Sequence, residues 1–437
     1  NELIGKCAYR RSLVQLQAEK TSSAYIYASS GMSESTSDLV FSGHALIATS
    51  DGDLVENERF QFKSNIIYHD IDVFRLKYDR RARSHMEGIL EKPSPWMTYF
   101  SLKEKNNTLL KKYSQTPFVS DNEETLEEIL SLQAYGLAKR VAHLGNTKMV
   151  IGISGGADST LAFLICLKVT EILKLPRENV VAITMPGFGT TNRTYQNAVQ
   201  LIKTSGATFK EISIKEACLQ HYKDIEQEEG VYDIAYENSQ ARERTQILFD
   251  YANKVKGIVI GTGDLSEIAL GFATYNGDHM SNYSVNASIP KTLVTRLIRK
   301  VWSGLEDGIF KNTLEDILNT PISPELLPPD EAGNIKQRSE DSVGPYIIQD
   351  FFLYHFMRYK ASVSKLFYLA MQTFDYTKEE VKGYLRTFIQ RFFTQQFKRN
   401  CMPDGVKVGT ISLSPRGDLR MSSDVSYQMY LKELEEL

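Results

Sequence analysis

The sequence is poor in cysteine, and its few cysteines are scattered. Its 437 residues include four of them, Cys7, Cys166, Cys218 and Cys401. No two form a C-x-x-C pair, which argues against a zinc ribbon or a thiol-redox motif. So few cysteines in so long a chain are typical of a reducing compartment, and we therefore expect a cytoplasmic protein.

Long apolar runs and an excess of charge are also missing. No apolar segment approaches the roughly 18 residues of a membrane span. The formal net charge is −3, whereas a non-specific nucleic-acid binder would be basic overall. We therefore expect small-molecule partners, and neither nucleic acid nor a membrane.

The order of predicted elements divides the chain into three parts: residues 1–84, a linker over residues 85–120, and residues 121–437. The first part shows one helix and several strands, with a hairpin over residues 38–58 that turns at Asp51-Gly52. Its other predicted elements are a helix at 10–20 and strands at 24–30 and 65–73. The chain enters a helical pattern almost at once, so we expect it to begin inside a domain.

From residue 121 onward, short β-rich runs alternate with helical stretches, which is typical of a parallel, doubly wound sheet. Asp121 and Glu124 predict a capping box at the start of the first helix. Residues 265–437 are mostly helical in pattern, and their aromatic-rich segments at 351–359 and 385–393 are expected to be core. The strands are predicted at 148–153, 179–185, 208–214 and 257–262, and the helices between them at 158–174, 194–204 and 239–256.

The first strand of this sheet ends in a glycine-rich loop, S-G-G-A-D-S, at residues 154–159. Glycines allow a close approach of the backbone to a ligand, and the helix that follows directs free N–H groups at it. The loop therefore predicts an anion site, but it lacks the G-K-[ST] ending of a Walker A motif. It resembles the pyrophosphatase-type ATP loop, in which ATP is split between the α and β phosphates.

Asp158 is the unusual residue of this loop. A carboxylate beside a triphosphate is repulsive unless a divalent cation such as Mg²⁺ lies between them. Asp158 is therefore interpreted as a metal ligand, and the alternative is an acid that only stabilises the first turn of the helix. A second acid, Glu267, follows the strand at 257–262. Glu267 could share the same cation, or it could form a capping box with Asp264.

Five motifs occur in this order: SGGADS, ENSQARERTQ, GTGDLSEIALGF, VNASIPKT and QFKRNCMPDGVKVG. They make residues 121–425 similar to NAD synthetase, in its long, glutamine-dependent branch. Residues 1–84 resemble the later part of that branch's nitrilase-like glutaminase domain. The resemblance implies a Rossmann-like α/β sheet preceded by a partial nitrilase-like α/β sandwich. It also implies ATP-dependent amidation of deamido-NAD to NAD through an acyl-adenylate, with release of AMP and pyrophosphate.

The same resemblance assigns site residues. Asp158 and Lys291 are the implied catalytic residues, and Asp158 and Glu267 the implied magnesium ligands. The implied ATP-binding residues are Ser154, Gly155, Gly156, Asp158, Ser159, Met185, Thr262 and Lys291. The implied deamido-NAD-binding residues are Asn238, Arg242, Glu267, Tyr275, Asn282 and Lys398. Tyr275 and Asn282 stand where the short, ammonia-dependent branch has a lysine and an acid. From the sequence alone, Arg242 and Lys398 could equally be solvated surface cations.

The glutaminase part is less complete. Nitrilase-like amidases use a Glu–Lys–Cys set, and in the family all three precede the region matched here. Cys7 does not match the nucleophile's surroundings and is interpreted as structural, while Lys6 matches a basic position of the glutamine pocket. We therefore expect this chain alone to use free ammonia, and the intact protein to use glutamine.

The resemblance also implies a homo-oligomer, at least a dimer. Two alternatives remain open: another ATP-pyrophosphatase, such as a tRNA-modifying enzyme, and a non-catalytic ATP-binding module.

Overall fold

The computed structural model describes residues 1–35, 37–82, 101, 108–320, 326–327 and 339–437. These residues fall into two units, residues 1–113 and residues 114–437. Most of the predicted linker lies outside the described residues, so the boundaries predicted at residues 84 and 120 stay a prediction. No helix of the described part is long and apolar enough to cross a membrane.

The N-terminal unit is a helix packed on a small antiparallel sheet of order β1-β2-β3. Its elements are α1 Lys6–Thr21, β1 Tyr25–Ala28, β2 Ala45–Ala48, β3 Leu54–Glu56 and α2 Val73–Ala82. Val14 and Ala18 of α1 pack against Leu46 and Ala48 of β2. The predicted helix, first strand and hairpin are confirmed, with Gly52 at φ +93° in the hairpin turn. The strand predicted at 65–73 is wrong: none of residues 65–72 is buried, and they pair with no described strand.

The C-terminal unit is built on a five-stranded sheet in which every neighbouring pair is parallel. Its strands, in chain order, are β4 Lys148–Gly152, β5 Val180–Thr184, β6 Thr208–Glu211, β7 Gly257–Gly261 and β8 Tyr283–Ser284. The spatial order is β6-β5-β4-β7-β8. The predicted doubly wound fold is confirmed, and β8 is a strand that the sequence did not predict.

Both faces of this sheet are covered by helices. The helices before β8 are α3 Glu123–His143, α4 Ala157–Leu173, α5 Asn192–Ser205, α6 Lys215–Asp224, α7 Ile234–Val255 and α8 Leu265–Leu270. Met149 and Ile151 of β4 pack in one apolar cluster with α4, whereas Val150 packs in a second cluster on the opposite face. Such burial on both faces explains why these strands read as continuous apolar runs.

The first of these helices begins differently from the prediction. Asn122, not Asp121, is the N-cap, because its side chain accepts hydrogen bonds from the amides of Glu124 and Thr125. The predicted capping box is therefore wrong by one residue. An asparagine carbonyl serves this role as well as a carboxylate does.

The chain after β8 is helical, as expected. Its helices are α9 Lys291–Ser303, α10 Ile309–Leu318, α11 Ser339–Val343, α12 Tyr346–Tyr359, α13 Val363–Thr373, α14 Lys378–Thr394, α15 Gln396–Asn400 and α16 Gln428–Glu435. Phe351 and Phe352 of α12 are buried, as are Phe388 and Phe392 of α14. The prediction that both aromatic segments form core is therefore confirmed.

The strand order fixes where a ligand can bind. β4 lies in the middle of the sheet, with β5 on one side and β7 on the other. The chain moves outward in one direction through β5 and β6, and in the other through β7 and β8. A crevice forms outside the carboxyl ends of the two strands where the direction reverses, here β4 and β7. The loops after residues 152 and 261 therefore face each other.

Candidate active site

The loop after β4 has the geometry of an anion cradle. Gly155 has φ +90°, and a Cβ there would lie 2.1 Å from the carbonyl oxygen of Thr194, so only glycine fits. Gly156 is the N-cap of α4 and has no side chain to occupy the helix N-terminus. The Ser159 hydroxyl donates to the Gly156 carbonyl oxygen over 3.1 Å and lies 3.1 Å from the Ser154 hydroxyl. The loop is thus held by its own hydroxyls, with the start of α4 open toward the crevice.

Four charged side chains meet at the ends of β4 and β7. The Lys291 Nζ atom lies 2.7 Å from Asp158 Oδ2, 2.6 Å from Asp264 Oδ2 and 2.8 Å from Glu267 Oε1. Lys291 is 3% exposed, and Asp264 is fully buried. The two acids and the lysine predicted from the sequence therefore do come together, and Asp264 joins them. We call Asp158, Asp264 and Glu267 the acid trio.

Burial and mutual charge perturb the pKa values of Lys291, Glu267 and Asp264. Burial disfavours the ammonium of Lys291, but the acid trio outweighs burial and raises the pKa of Lys291 above its usual value. Burial raises the pKa of Glu267 to about 7, with Asp158 adding to the effect and Lys291 opposing it. Burial and the charge of Glu267 likewise raise the pKa of Asp264. The lysine thus holds together carboxylates that would otherwise repel one another.

The two interpretations of Glu267 are compatible. A capping box is present, because Asp264 accepts from the Glu267 amide over 2.9 Å and Glu267 Oε2 accepts from the Asp264 amide over 3.3 Å. The other oxygen, Oε1, faces Lys291. Glu267 can therefore cap α8 with one oxygen and present the other to the site.

The acid trio also has the chemistry of a hard-cation site. One oxygen from each of the three carboxylates can be chosen so that all lie within 4.8 Å of one another. Asp158 Oδ1 is buried and has no hydrogen-bond partner among the described residues. An unpartnered, buried carboxylate oxygen is costly unless a cation or a ligand satisfies it. Oxygen ligands of this kind suit Mg²⁺, so the residues fit the predicted metal.

Asn286 connects the two loops that carry these acids. Its Nδ2 donates to the carbonyl oxygens of Asp158, over 2.9 Å, and Thr262, over 3.1 Å. Its Oδ1 accepts from Gln133 Nε2 over 3.1 Å. Asn286 is fully buried. It therefore fixes the spacing between the end of β7 and the first turn of α4, a role that the sequence analysis missed.

A cavity of about 280 Å³ opens beside the acid trio. The predicted site residues that line it are Ser154, Asp158, Ser159, Met185, Thr262, Glu267 and Lys398. Arg244, Asp278 and His279 also line it and were not predicted. Burial raises the pKa of Asp278, and burial lowers the pKa of His279. Five of the eight predicted ATP-binding residues therefore lie in the wall of one cavity, whereas Gly155, Gly156 and Lys291 do not line it.

The predicted deamido-NAD residues are more dispersed. Thr274 donates its hydroxyl to Asn238 Oδ1 over 2.7 Å, and Arg242 Nε donates to the Tyr275 carbonyl oxygen over 3.3 Å. Together these contacts tie α7 to the segment after α8. Asn282 is exposed and its Oδ1 accepts from the Val259 amide over 2.8 Å, so it braces the sheet edge. Their part in binding stays a prediction.

Lys398 and two neighbouring arginines hold the end of α8. Lys398 Nζ donates to the carbonyl oxygens of Gly271, over 2.7 Å, and Ala273, over 2.6 Å. Arg391 and Arg399 donate to further carbonyls of this end, over 2.9 and 2.8 Å respectively. Cations stabilise a helix C-terminus because they complement its dipole and its unpaired carbonyls. Lys398 thus has a structural contact in addition to its place in the cavity wall.

A second cluster with metal-ligand chemistry lies in the N-terminal unit, where Cys7, His44 and Glu56 approach one another. Its lone pairs are already used. Arg10 lies 2.7 Å from His44 Nδ1, which leaves the ring proton on Nε2, facing Glu56 at 3.0 Å. Arg11 donates to both oxygens of Glu56. We therefore assign no metal site here.

Lys6, the predicted glutamine-pocket residue, donates to the Asn1 side chain.

The doubly wound sheet, the glycine loop and the acid trio at its reversal point define an α/β nucleotide-binding protein of the pyrophosphatase-loop class. The model of the NAD synthase family matches residues 129–365, which is more than half of the chain. The glutamine-dependent NAD(+) synthetase of Mycobacterium leprae is 36% identical over 99% of this chain and 69% of its own length. The chain belongs to the NAD synthase family.

More distant relatives are consistent with this membership. The Aquifex aeolicus protein of the same name is 30% identical over 79% of this chain and 57% of its own length. The crystal structure of the glutamine-dependent NAD(+) synthetase from Cytophaga hutchinsonii matches with a TM-score of 0.59. That match covers 99% of this chain and 68% of that one at 20% identity, so it supports the fold alone.

Proposed function

We propose that this chain catalyses the ATP-dependent amidation of deamido-NAD to NAD. The nicotinic acid carboxylate first attacks the α-phosphate of ATP, which gives an acyl-adenylate and pyrophosphate. Ammonia then displaces AMP and forms the amide. Family membership supports this reaction, and so does the site geometry: Ser154, Asp158, Ser159 and Glu267 line one cavity, and Lys291 contacts Asp158 and Glu267.

The glycine loop suits the departing pyrophosphate. It brings the N-terminus of α4 to the cavity with a glycine at its cap, so backbone N–H groups rather than a lysine side chain meet the phosphates. A lysine on the γ-phosphate is needed when that group is transferred, and here it leaves with the β-phosphate. A loop that binds the departing pyrophosphate therefore does not need the lysine of a P-loop, and its aspartate can serve as a metal ligand.

Asp158 and Glu267, with Asp264 beside them, would hold Mg²⁺. When bound, the cation supplies positive charge that offsets the polyphosphate and the charge developing on the leaving group. Lys291 supplies further positive charge from the chain itself. Its raised pKa keeps it charged at neutral pH, so it can stabilise negative charge on the α-phosphate oxygens.

The nitrogen source is a separate part of the proposal. We propose that this chain uses free ammonium and not glutamine. Cys7 is the single cysteine of residues 1–113, and it lies beside His44 and Glu56, whereas the nucleophile is expected in a Glu–Lys–Cys set. Assays with ammonium and with glutamine, at equal nitrogen concentration, test this point. Equal NAD yield from glutamine would contradict it.

The reaction itself is tested by its products. Incubation with ATP, deamido-NAD and ammonium should give NAD, AMP and pyrophosphate in equal amounts, and Lys291→Ala should abolish most of the yield. Formation of ADP and inorganic phosphate would contradict the proposal, because it would mean cleavage at the γ-phosphate.

We further propose a cytoplasmic enzyme that acts as at least a dimer. Light scattering tests its oligomeric state.

A further inference from the structure

A buried carboxylate lies behind the acid trio and outside the cavity. Asp350, on α12, is 1% exposed and does not line the cavity. Its Oδ1 accepts a hydrogen bond from the Ser266 hydroxyl. Its Oδ2 accepts two more from Thr292, one from the amide over 3.1 Å and one from the hydroxyl over 2.7 Å. Both oxygens are thus used, in hydrogen bonds from uncharged groups.

The partners of Asp350 are sequence neighbours of the proposed reacting groups. Ser266 immediately precedes Glu267 at the start of α8, and Thr292 immediately follows Lys291 at the start of α9. The two starts are also bonded directly, because the Lys291 amide donates to the Ser266 hydroxyl oxygen over 2.8 Å. Asp350 therefore joins the backbone at Lys291 to the backbone at Glu267.

The location accounts for an acid at this buried position. The starts of α8 and α9 meet at Asp350, and the Thr292 amide and the partial positive charge at the N-terminus of α9 both favour a carboxylate there. A buried carboxylate without such partners would be strongly destabilising. Hydrogen bonds to an ionised acceptor are stronger and geometrically tighter than those to a neutral one. The carboxylate thus braces the two helix starts more rigidly than an apolar side chain could.

We propose that Asp350 is a positioning residue for adenylation: it sets the distance between the Lys291 ammonium and the Glu267 carboxylate by bracing the starts of α8 and α9. This inference rests on the proposed function. Asp350 touches no substrate in this scheme and acts through Lys291. Loss of the brace lets the ammonium move, which weakens transition-state stabilisation and should lower kcat more than it raises the KM for deamido-NAD.

Three substitutions and one control test the brace. Asp350→Asn retains the volume but replaces one acceptor by a donor, so kcat should fall about 10- to 100-fold. Thr292→Val removes one hydroxyl and should give a smaller loss, while Thr292→Ser keeps the hydroxyl and should recover most of the activity. Thr313→Val removes a buried hydroxyl in α10 that bonds the Ile309 carbonyl, and it should leave kcat unchanged.

The Thr292 pair keeps the inference testable if Asp350→Asn does not fold. Equal kcat for Thr292→Val and Thr292→Ser would then overturn it. A loss of kcat in Thr313→Val as large as in Thr292→Val would also overturn it, because any buried hydroxyl would then matter equally.

A double-mutant cycle with Lys291→Ala separates positioning from general damage. If Asp350 acts through Lys291, Asp350→Asn should have almost no further effect once the lysine is gone. If the kcat losses of the two single variants multiply in the double variant, the inference is overturned. The same cycle is run on the Kd for ATP, which stays measurable when turnover is lost. A parent chain that gives no AMP and pyrophosphate would instead refute the proposed function, so the two failures are distinguishable.

Discussion

Glu267→Gln separates the two roles of that residue. Glutamine also serves at the third position of a capping box, so the variant keeps the cap of α8 but loses the charge that faces Lys291. If Glu267 is a magnesium ligand, the variant should need a much higher Mg²⁺ concentration for half-maximal turnover. An unchanged Mg²⁺ requirement would leave capping as its only role.

The same variant should change how stability depends on pH. The pKa of Glu267 is raised to about 7 in the folded chain, from its ordinary value of 4.5. The folded state therefore binds more protons than the unfolded state between these values, so Glu267 lowers the free energy of unfolding as the pH rises through this range. The difference between the two pKa values corresponds to about 3 kcal/mol.

Urea unfolding of both proteins at pH 5 and pH 7.5, in EDTA, measures this effect. The free energy of unfolding of Glu267→Gln minus that of the parent should increase by about 2–3 kcal/mol between the two pH values. Added Mg²⁺ should reduce this increase, because a bound cation stabilises the ionised carboxylate in the folded parent. A difference that is independent of pH would refute the reasoning that Glu267 titrates within a crowded acid cluster.

Three further predictions concern residues that shape the site. Gly155→Ala should abolish turnover and destabilise the chain, because the new Cβ would overlap the Thr194 carbonyl oxygen. The control is Gly409→Ala, where a Cβ meets no atom within 4 Å, and it should be neutral in the same turnover and melting assays. Asn286→Ala should lower the free energy of unfolding by about 1–3 kcal/mol and raise the KM for ATP, because two buried carbonyls lose their donor. Arg399→Met should lower the melting temperature by several degrees, since it removes the donor to the Ile268 and Ala269 carbonyls of α8, and ammonium-dependent turnover should fall with it.

The sequence was sufficient to predict the parts of this fold that depend on local pattern. β4, β5 and β7 are continuous apolar runs because both faces of the sheet are covered, and the glycine loop and its helix follow directly from the string at 154–159. The meeting of Asp158 with Glu267 was predictable because strand ends of a parallel sheet share one edge.

Other features depend on contacts between distant segments. Asp264 looks like an ordinary N-cap in the sequence, and its burial against Lys291 depends on where α9 begins. Asp350 lies in a segment without a site pattern, and Asn286 lies in the motif VNASIPKT but was not assigned a role. Their partners are 24 to 153 residues away in the chain. The strand predicted at 65–73 failed for the same reason: strand formation depends on a partner, and no described strand pairs with this segment to complete a ladder.

The central claim is that the loop at 154–159 holds pyrophosphate while the adenylyl group moves to a carboxylate. Exchange of radiolabel between pyrophosphate and ATP, measured without any ammonia donor, tests this most directly. The account predicts exchange that requires both deamido-NAD and Mg²⁺ and that is lost in Lys291→Ala. Exchange that proceeds equally well without deamido-NAD, or no exchange in a chain that makes NAD from ammonium, would contradict a reversible acyl-adenylate.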